Sequence, residues 1–357
     1  MADILADTAA DDDIAAMIRD SARGIAERDG GVARARRLRF ASPGYDPDVL
    51  YEMAALGWFA IRLPEAAGGS ALPIATLGLL VHDLGRVLTP EPLVAMTLAA
   101  RLLAAAEPDG DVLAAHVAGE RLATVAAFEG RDGIAVTGTR GPRHAVPAVD
   151  TAATVLMVER TADGLALLAY DRDAVDAAPV ALQDGGFWAT VSPTGTGRLV
   201  GRPAARDVDV ALEEATLATA FELCGIAAAA LDISLDYLRV RQQFGRAIGS
   251  FQALQHAAVN LKIEAELAMA SARAAAAQID ADADAAAAVS CAKAQASAAA
   301  IKVTRAAIQL HGGIGYTDEH DIGLYLRRAM VLASAFGSAD WHVRRYADLT
   351  RPMAAAA

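Results

Sequence analysis

Residues 209–245 run from DVALEEATLATA to RVRQQFG without a proline, and apolar side chains recur there at three- and four-residue spacing. As a helix this stretch would extend roughly 50 Å at 1.5 Å per residue. Two further periodic segments follow, at 250–280 and 284–311, separated by a break at Asp280 to Asp284. Much of their length is alanine, as in MASARAAAAQ and CAKAQASAAAIK. Alanine is the best helix former because it loses no rotamer entropy, and its small side chain lets helices approach closely. Helices this long bury their apolar faces only against one another, so a helical bundle is predicted.

The remaining chain divides into two blocks of different texture. From Asp13 to about Gly119 the spacing is again helical. Asp46-Pro47 reads as an N-cap followed by proline at the first helical position. The segment PIATLGLLVHDLGRVL reads as a helix stopped at Thr89-Pro90. Between about 120 and 205 the period shortens: RLATVAAF, AVTGTR, AATVLMVER and LALLAYD read as strands of an antiparallel domain. GTRGPRHAVPAVD and TADG read as turns between them. The expectation is a mainly α chain with a small β domain: helices over 1–119, a reduced β domain over 120–206, and a four-helix bundle over 207–357.

Charge and cysteine content exclude several functions. Forty-four acidic residues against 32 basic ones give a net charge of −12, the wrong sign for general nucleic-acid binding. Cys224 and Cys291 make neither a disulfide framework nor a zinc cluster. Asp318 in DEHD is expected to cap a helix rather than to bind a metal, and Cys224 to pack in a core. No membrane span is expected. The acidic N-terminus MADILADTAADDD lacks a basic-then-apolar signal pattern, so a cytoplasmic protein is expected.

YLRVRQQFGRAIGSFQALQH (237–256) and QLHGGIGYTDEHDIGLYLRRA (309–329) are the firmest motifs in the chain. LGWFAIRLPEAAGGS (56–70) and DLGRVLTPEPL (83–93) precede them in matching order and spacing. Together they resemble the acyl-CoA dehydrogenase family, flavin enzymes built of helical, β and helical-bundle domains in this order. The resemblance implies FAD as cofactor, an acyl-CoA substrate and an electron-transfer acceptor. It also implies an oligomer, either of this chain alone or with a homologous subunit. In that chemistry a carboxylate removes the α proton of a thioester while the flavin accepts a hydride from the β carbon.

By the same resemblance, Arg241 reaches the FAD pyrophosphate of a neighbouring subunit, a task suited to its planar fork. Phe244 and Gln252 follow at the family spacing. Gln309, Gly312 and Gly313 match the segment that receives the adenosine half, and Ser338 follows the family's base position. Read without the motif, Arg241 is a solvated helix-end charge and Gly312-Gly313 a helix C-cap. The family's flavin-covering segment, of the form T-E-P-x-A-G-S-D, has no counterpart in ATVAAFEGRDGIAV. Tyr170, Phe187 and Trp188 are core residues or ring surfaces near a flavin.

The catalytic base is where the chain departs most. Aligned from LRRA, the position of the usual glutamate holds Phe336. The alternative base position on the first bundle helix falls on Ala215, with Thr216 beside it. Glu222 is the first substitute candidate, seven residues on and on the same helix face; a satisfied polar group at a subunit interface is the competing reading. Three readings follow: a dehydrogenase with a displaced base, the base-lacking subunit of a heteromer, or a scaffold kept for assembly or ligand binding. Short base-less relatives occur in actinobacterial steroid side-chain degradation, which makes a bulky acyl group the expected cargo.

Overall fold

The computed structural model describes residues 16–128 and 141–351. Its first part is helical: α1 (16–26), α2 (Val32–Leu38), α3 (Pro47–Ala55), α4 (Ile74–Arg86), α5 (Leu93–Ala106) and α6 (Asp111–Val117). The Asp46 side chain accepts the Asp48 N–H at 3.0 Å and Pro47 occupies the first turn, so α3 starts as its sequence predicts. α5 is buried along most of its length and connects this part to the rest of the core.

Two small sheets follow. One is ordered β1-β3-β4-β7, from Ala123–Val125, Thr154–Thr161, Gly164–Asp171 and Arg198–Gly201; the other is β2-β6-β5, from Arg143–Pro147, Phe187–Pro193 and Val175–Ala181. β3 and β4 form the expected hairpin around Thr161–Gly164. Three expectations need correction. β1 pairs with β3 in parallel, not antiparallel. The chain visits the other sheet as β2 between them, so no tight hairpin joins the pair. RHAVP, expected as a turn, is β2; Pro147 is tolerated because β2 is an edge strand. β5, β6 and β7 are further strands that the apolar runs did not mark. AVTGTR lies outside the described residues.

The bundle consists of α7 (Ala205–Val240), α8 (Gln252–Asp280), α9 (Ala286–His311), α10 (Ile322–Ser334) and α11 (Ala339–Thr350). α7 ends earlier than periodicity predicts. Gln242–Gln243 and Arg246–Ala247 pair as a two-residue hairpin, β8–β9. Its loop residues Phe244 and Gly245 both have positive φ, 54° and 78°, the requirement of a type I′ turn. α7 is long and apolar enough to cross a membrane, but 83% of its apolar window is buried inside the fold, as befits a core helix.

α7 crosses α4 at very short range. A Cβ on Gly225 would stand 2.0 Å from the His82 carbonyl oxygen, and one on Gly85 would stand 2.6 Å from the Glu222 carbonyl oxygen. Small residues at the crossing let α7 sit deep enough to present Thr219 and Glu222 to the space between the helices and the sheets.

Candidate functional site

That space is a cleft with a cavity of about 140 Å³, walled by α4, α5, β2, β6, α7 and α10. Its lining is chiefly apolar, from residues such as Val81, Leu84, Leu98, Leu324 and Leu332. Phe187 and Trp188 face it from β6, whereas Tyr170 is buried in the core beneath the sheet. Nine non-glycine residues with positive φ are found among the described residues, and four of them, Leu88, Ala145, Ala148 and Phe336, line the cleft. Such backbone strain collects where a binding site is shaped.

One charged group faces the cleft with incomplete compensation. Arg328 of α10 donates to Glu222 Oε1 at 2.9 and 3.2 Å and to Asp184 Oδ2 at 3.0 Å. Burial opposes the charge on Arg328, and attraction to Glu222 and Asp184 outweighs it, so the guanidinium pKa is raised. Asp184 sits in the turn between β5 and β6, where its other oxygen accepts the Gly186 N–H at 3.0 Å. The remaining charges on the wall are matched, Arg34 with Glu91 in a buried pair and Arg39 with Asp318.

Phe336 also lines the cleft, its ring edge-on to Phe128 at 5.4 Å. The turn that carries it is tied from behind. Lys293, fully buried on α9, donates to the Ala333 and Gly337 carbonyls and to Ser297 Oγ, each at 3.2 Å. Burial lowers its pKa to about 7. His342 Nε2 lies 2.9 Å from the Phe336 carbonyl oxygen, which assigns the proton to that nitrogen. Burial, then the neighbouring Lys293 charge, lowers the His342 pKa to about 3. Ser338 Oγ accepts the Trp341 N–H at 3.2 Å and caps α11. The wall where a carboxylate base is expected is therefore a well-anchored aromatic residue.

The other candidate residues stand elsewhere. Arg241 is the C-cap of α7, 19 residues beyond Glu222, which places it about 28 Å away along the helix. It is exposed, and among the described residues no carboxylate pairs with it. Phe244 is exposed on the β8–β9 turn, and Gln252 opens α8. Gln309 and Gly312-Gly313 lie at the end of α9. That end is brought to the end of α7 by the Tyr237 ring, stacked on His311 at 4.4 Å. Nothing stands within 4 Å of where a Cβ would sit on Gly312 or Gly313. Packing within this chain does not demand glycine there. An unpaired guanidinium beside an open, glycine-bordered surface fits the phosphates and adenosine of FAD.

The candidates thus form two groups, the cleft and the bundle end. Asp318 is not a cap: it pairs with Arg39 and Arg36, and Asp321 takes the cap position of α10. An aspartate three residues too early reaches the α2 arginines more readily than the α10 N–H groups. Cys224 is buried in the α7 core, which pushes its thiol pKa up to about 12. Glu213 is held by Arg345 and Glu214 by Arg62 and Arg101. No group of three metal-binding side chains occurs among the described residues. The flavin-covering region falls partly in 129–140, outside the described residues.

Sequence reasoning missed Arg328, Asp184, Lys293 and His342. The available signals were a lone lysine in an otherwise small and neutral run, CAKAQAS, and an Asp-Gly turn before β6.

A helical N-terminal part, a small double sheet and a bundle around one cleft define an acyl-CoA dehydrogenase fold. Family models agree: the acyl-CoA dehydrogenase N-terminal domain matches residues 12–107 and the C-terminal domain residues 206–348. The chain belongs to the acyl-CoA dehydrogenase family. It is 32% identical over 323 residues to acyl-CoA dehydrogenase IpdE2 of Mycobacterium tuberculosis, covering 88% of this chain and 90% of that protein. It is 32% identical over 359 residues to acyl-CoA dehydrogenase FadE34 of the same organism, covering 94% of this chain but 47% of that longer protein. Among solved structures, the Tcur3481-Tcur3483 steroid ACAD G363A variant superposes with a TM-score of 0.85 at 27% identity, covering 95% and 98% of the two chains.

Proposed function

We propose that this chain is the base-lacking subunit of a heteromeric FAD-dependent acyl-CoA dehydrogenase. The observation that carries the reading is Phe336, which lines the cleft at the family's base position on a turn fixed by Lys293 and His342. Glu222, the substitute candidate, shares one oxygen with Arg328 through two hydrogen bonds. It serves better as the counter-ion of a buried guanidinium than as a proton acceptor. The flavin, when bound, supplies the hydride acceptor. This chain's part is to present Arg241, Phe244, Gln252 and the Gln309–Gly313 segment to the flavin of a homologous partner that carries the glutamate. The separation of the bundle end from the cleft supports a site shared across subunits.

FadE34, about twice the length this chain matches, and a solved neighbour named as the pair Tcur3481-Tcur3483 both accord with two-part assembly. The latter's description as a steroid ACAD favours a bulky acyl thioester as substrate. An electron-transfer protein as acceptor and a cytoplasmic location complete the proposal.

The test is turnover by the purified chain with acyl-CoA and an artificial acceptor. Little or no activity is expected, because general-base assistance is worth about 10² to 10⁴-fold. Phe336→Glu is expected to raise turnover wherever flavin and thioester bind. Robust turnover by the parent chain alone contradicts the proposal, and Glu222→Gln then tests whether Glu222 is the base.

A further inference from the structure

The cleft of this chain has a chemistry of its own, set by one carboxylate. Glu222 Oε1 accepts both of its hydrogen bonds from Arg328, and among the described residues no donor reaches Oε2. Asp184, by contrast, uses both oxygens, one on Arg328 and one on the Gly186 N–H. Two carboxylates around one guanidinium leave one negative charge in excess. Glu222 is 9% exposed, so bulk water compensates little of it. A buried acceptor left without a donor is costly, and a ligand that supplies one recovers that cost. Around this point the walls are apolar, and a cavity near 150 Å³ with such walls takes a six-membered ring.

We propose that the cleft binds an alicyclic acyl group bearing a hydroxyl, whose O–H donates to Glu222 Oε2. This deepens the proposed function and rests on the reading of the cleft as an acyl pocket. The hydroxyl sets specificity: a plain ring leaves Oε2 unpaired, and a ring carrying a carboxylate meets the excess negative charge. Phe187 and Trp188 supply flat apolar surface for the ring.

Calorimetric titration of the full chain tests this with three pantetheine thioesters, which carry no nucleotide. Their acyl groups are 3-cyclohexylpropanoyl, its 4-hydroxy derivative and its 4-amino derivative. The hydroxy compound is expected to bind about tenfold or more tighter than the plain one, the usual scale for a hydrogen bond to a charged group. Glu222→Met keeps the side-chain length and leaves Arg328 paired with Asp184, and is expected to bring the two affinities together. Equal affinity of the parent for the plain and hydroxy compounds overturns the inference, whether or not the variant folds. Tighter binding of the amine than of the alcohol overturns the assigned class. If none of the three binds, the acyl-pocket reading itself fails.

Discussion

Arg241 and Arg328 illustrate two opposite fates for an arginine in this chain. Arg328 is enclosed and holds two carboxylates; Arg241 is exposed at a helix end and, among the described residues, holds none. A guanidinium without an internal partner is free to take a phosphate, and charge-assisted contacts of that kind are about twice as strong as neutral ones. Arg241→Ala is therefore expected to weaken FAD retention by about 10 to 100-fold, with unchanged helical circular dichroism. Equal FAD affinity in variant and parent removes Arg241 from the site. Arg241 was legible in the sequence because RQQFG surrounds it. Arg328 lay within LRRA and went unassigned. Adjacent residues on a helix point about 100° apart, so deciding whether Arg327 or Arg328 faces inward needs the tertiary packing of α10. Lys293 was hidden for the same reason: its partners Ala333 and Gly337 are carbonyls 40 and 44 residues away.

Between elements, the decisive contacts are made by small or neutral groups. At the α4–α7 crossing, Gly225→Ala gains roughly 1 kcal/mol in helix propensity. It also drives a methyl into the His82 carbonyl, an overpacking that costs about 1–3 kcal/mol. A net loss of stability is expected in chemical denaturation, and a stabilised variant would contradict the crossing geometry. His116 of α6 joins α5 to β1: its Nε2 donates to the Met96 carbonyl at 2.9 Å and its Nδ1 accepts the Ala123 N–H at 3.0 Å. Both bonds require the neutral ring, and burial lowers the pKa to about 4. Below pH 6.5 the unfolded chain takes up a proton that the native site refuses. Stability from this group is thus fully present above about pH 6.5 and falls as the pH drops to about 4. The loss is about 3 kcal/mol, at 1.36 kcal/mol per pKa unit. His116→Gln offers the same donor and acceptor without the titration, so its stability should fall less than the parent's over that window. Parallel pH profiles for the two proteins would remove His116 as the cause. The long helices were readable because period and alanine content agree over tens of residues. The β1–β3 pairing was not, because register between strands separated by another sheet is a tertiary choice. The early end of α7 turned on positive φ at Phe244, a residue type that does not advertise a turn.

At the scale of the whole molecule, α8 shows why one chain is not the complete unit. Its small residues, among them Ala258, Leu261, Ala265 and Ala268, are buried against the bundle. Val259, Ile263 and Leu267 recur every four residues on another face and are exposed by 50% or more. Such a stripe on the outer helix is covered by another subunit. Ile263→Glu is expected to weaken association by at least about tenfold, the equivalent of losing one buried aliphatic side chain. Sedimentation equilibrium reads that shift, and an unchanged association state contradicts α8 as the interface. A stable monomer that still binds FAD would contradict the shared site as well, since Arg241 and Gln309 are placed to serve a neighbour. The most direct measurement is to isolate the chain from its native host and count subunits and flavins in the complex. The account predicts a homologous, glutamate-bearing partner chain, with fewer flavins than chains and turnover that requires both subunits. A homo-oligomer with one FAD per chain that dehydrogenates acyl-CoA unaided would contradict it.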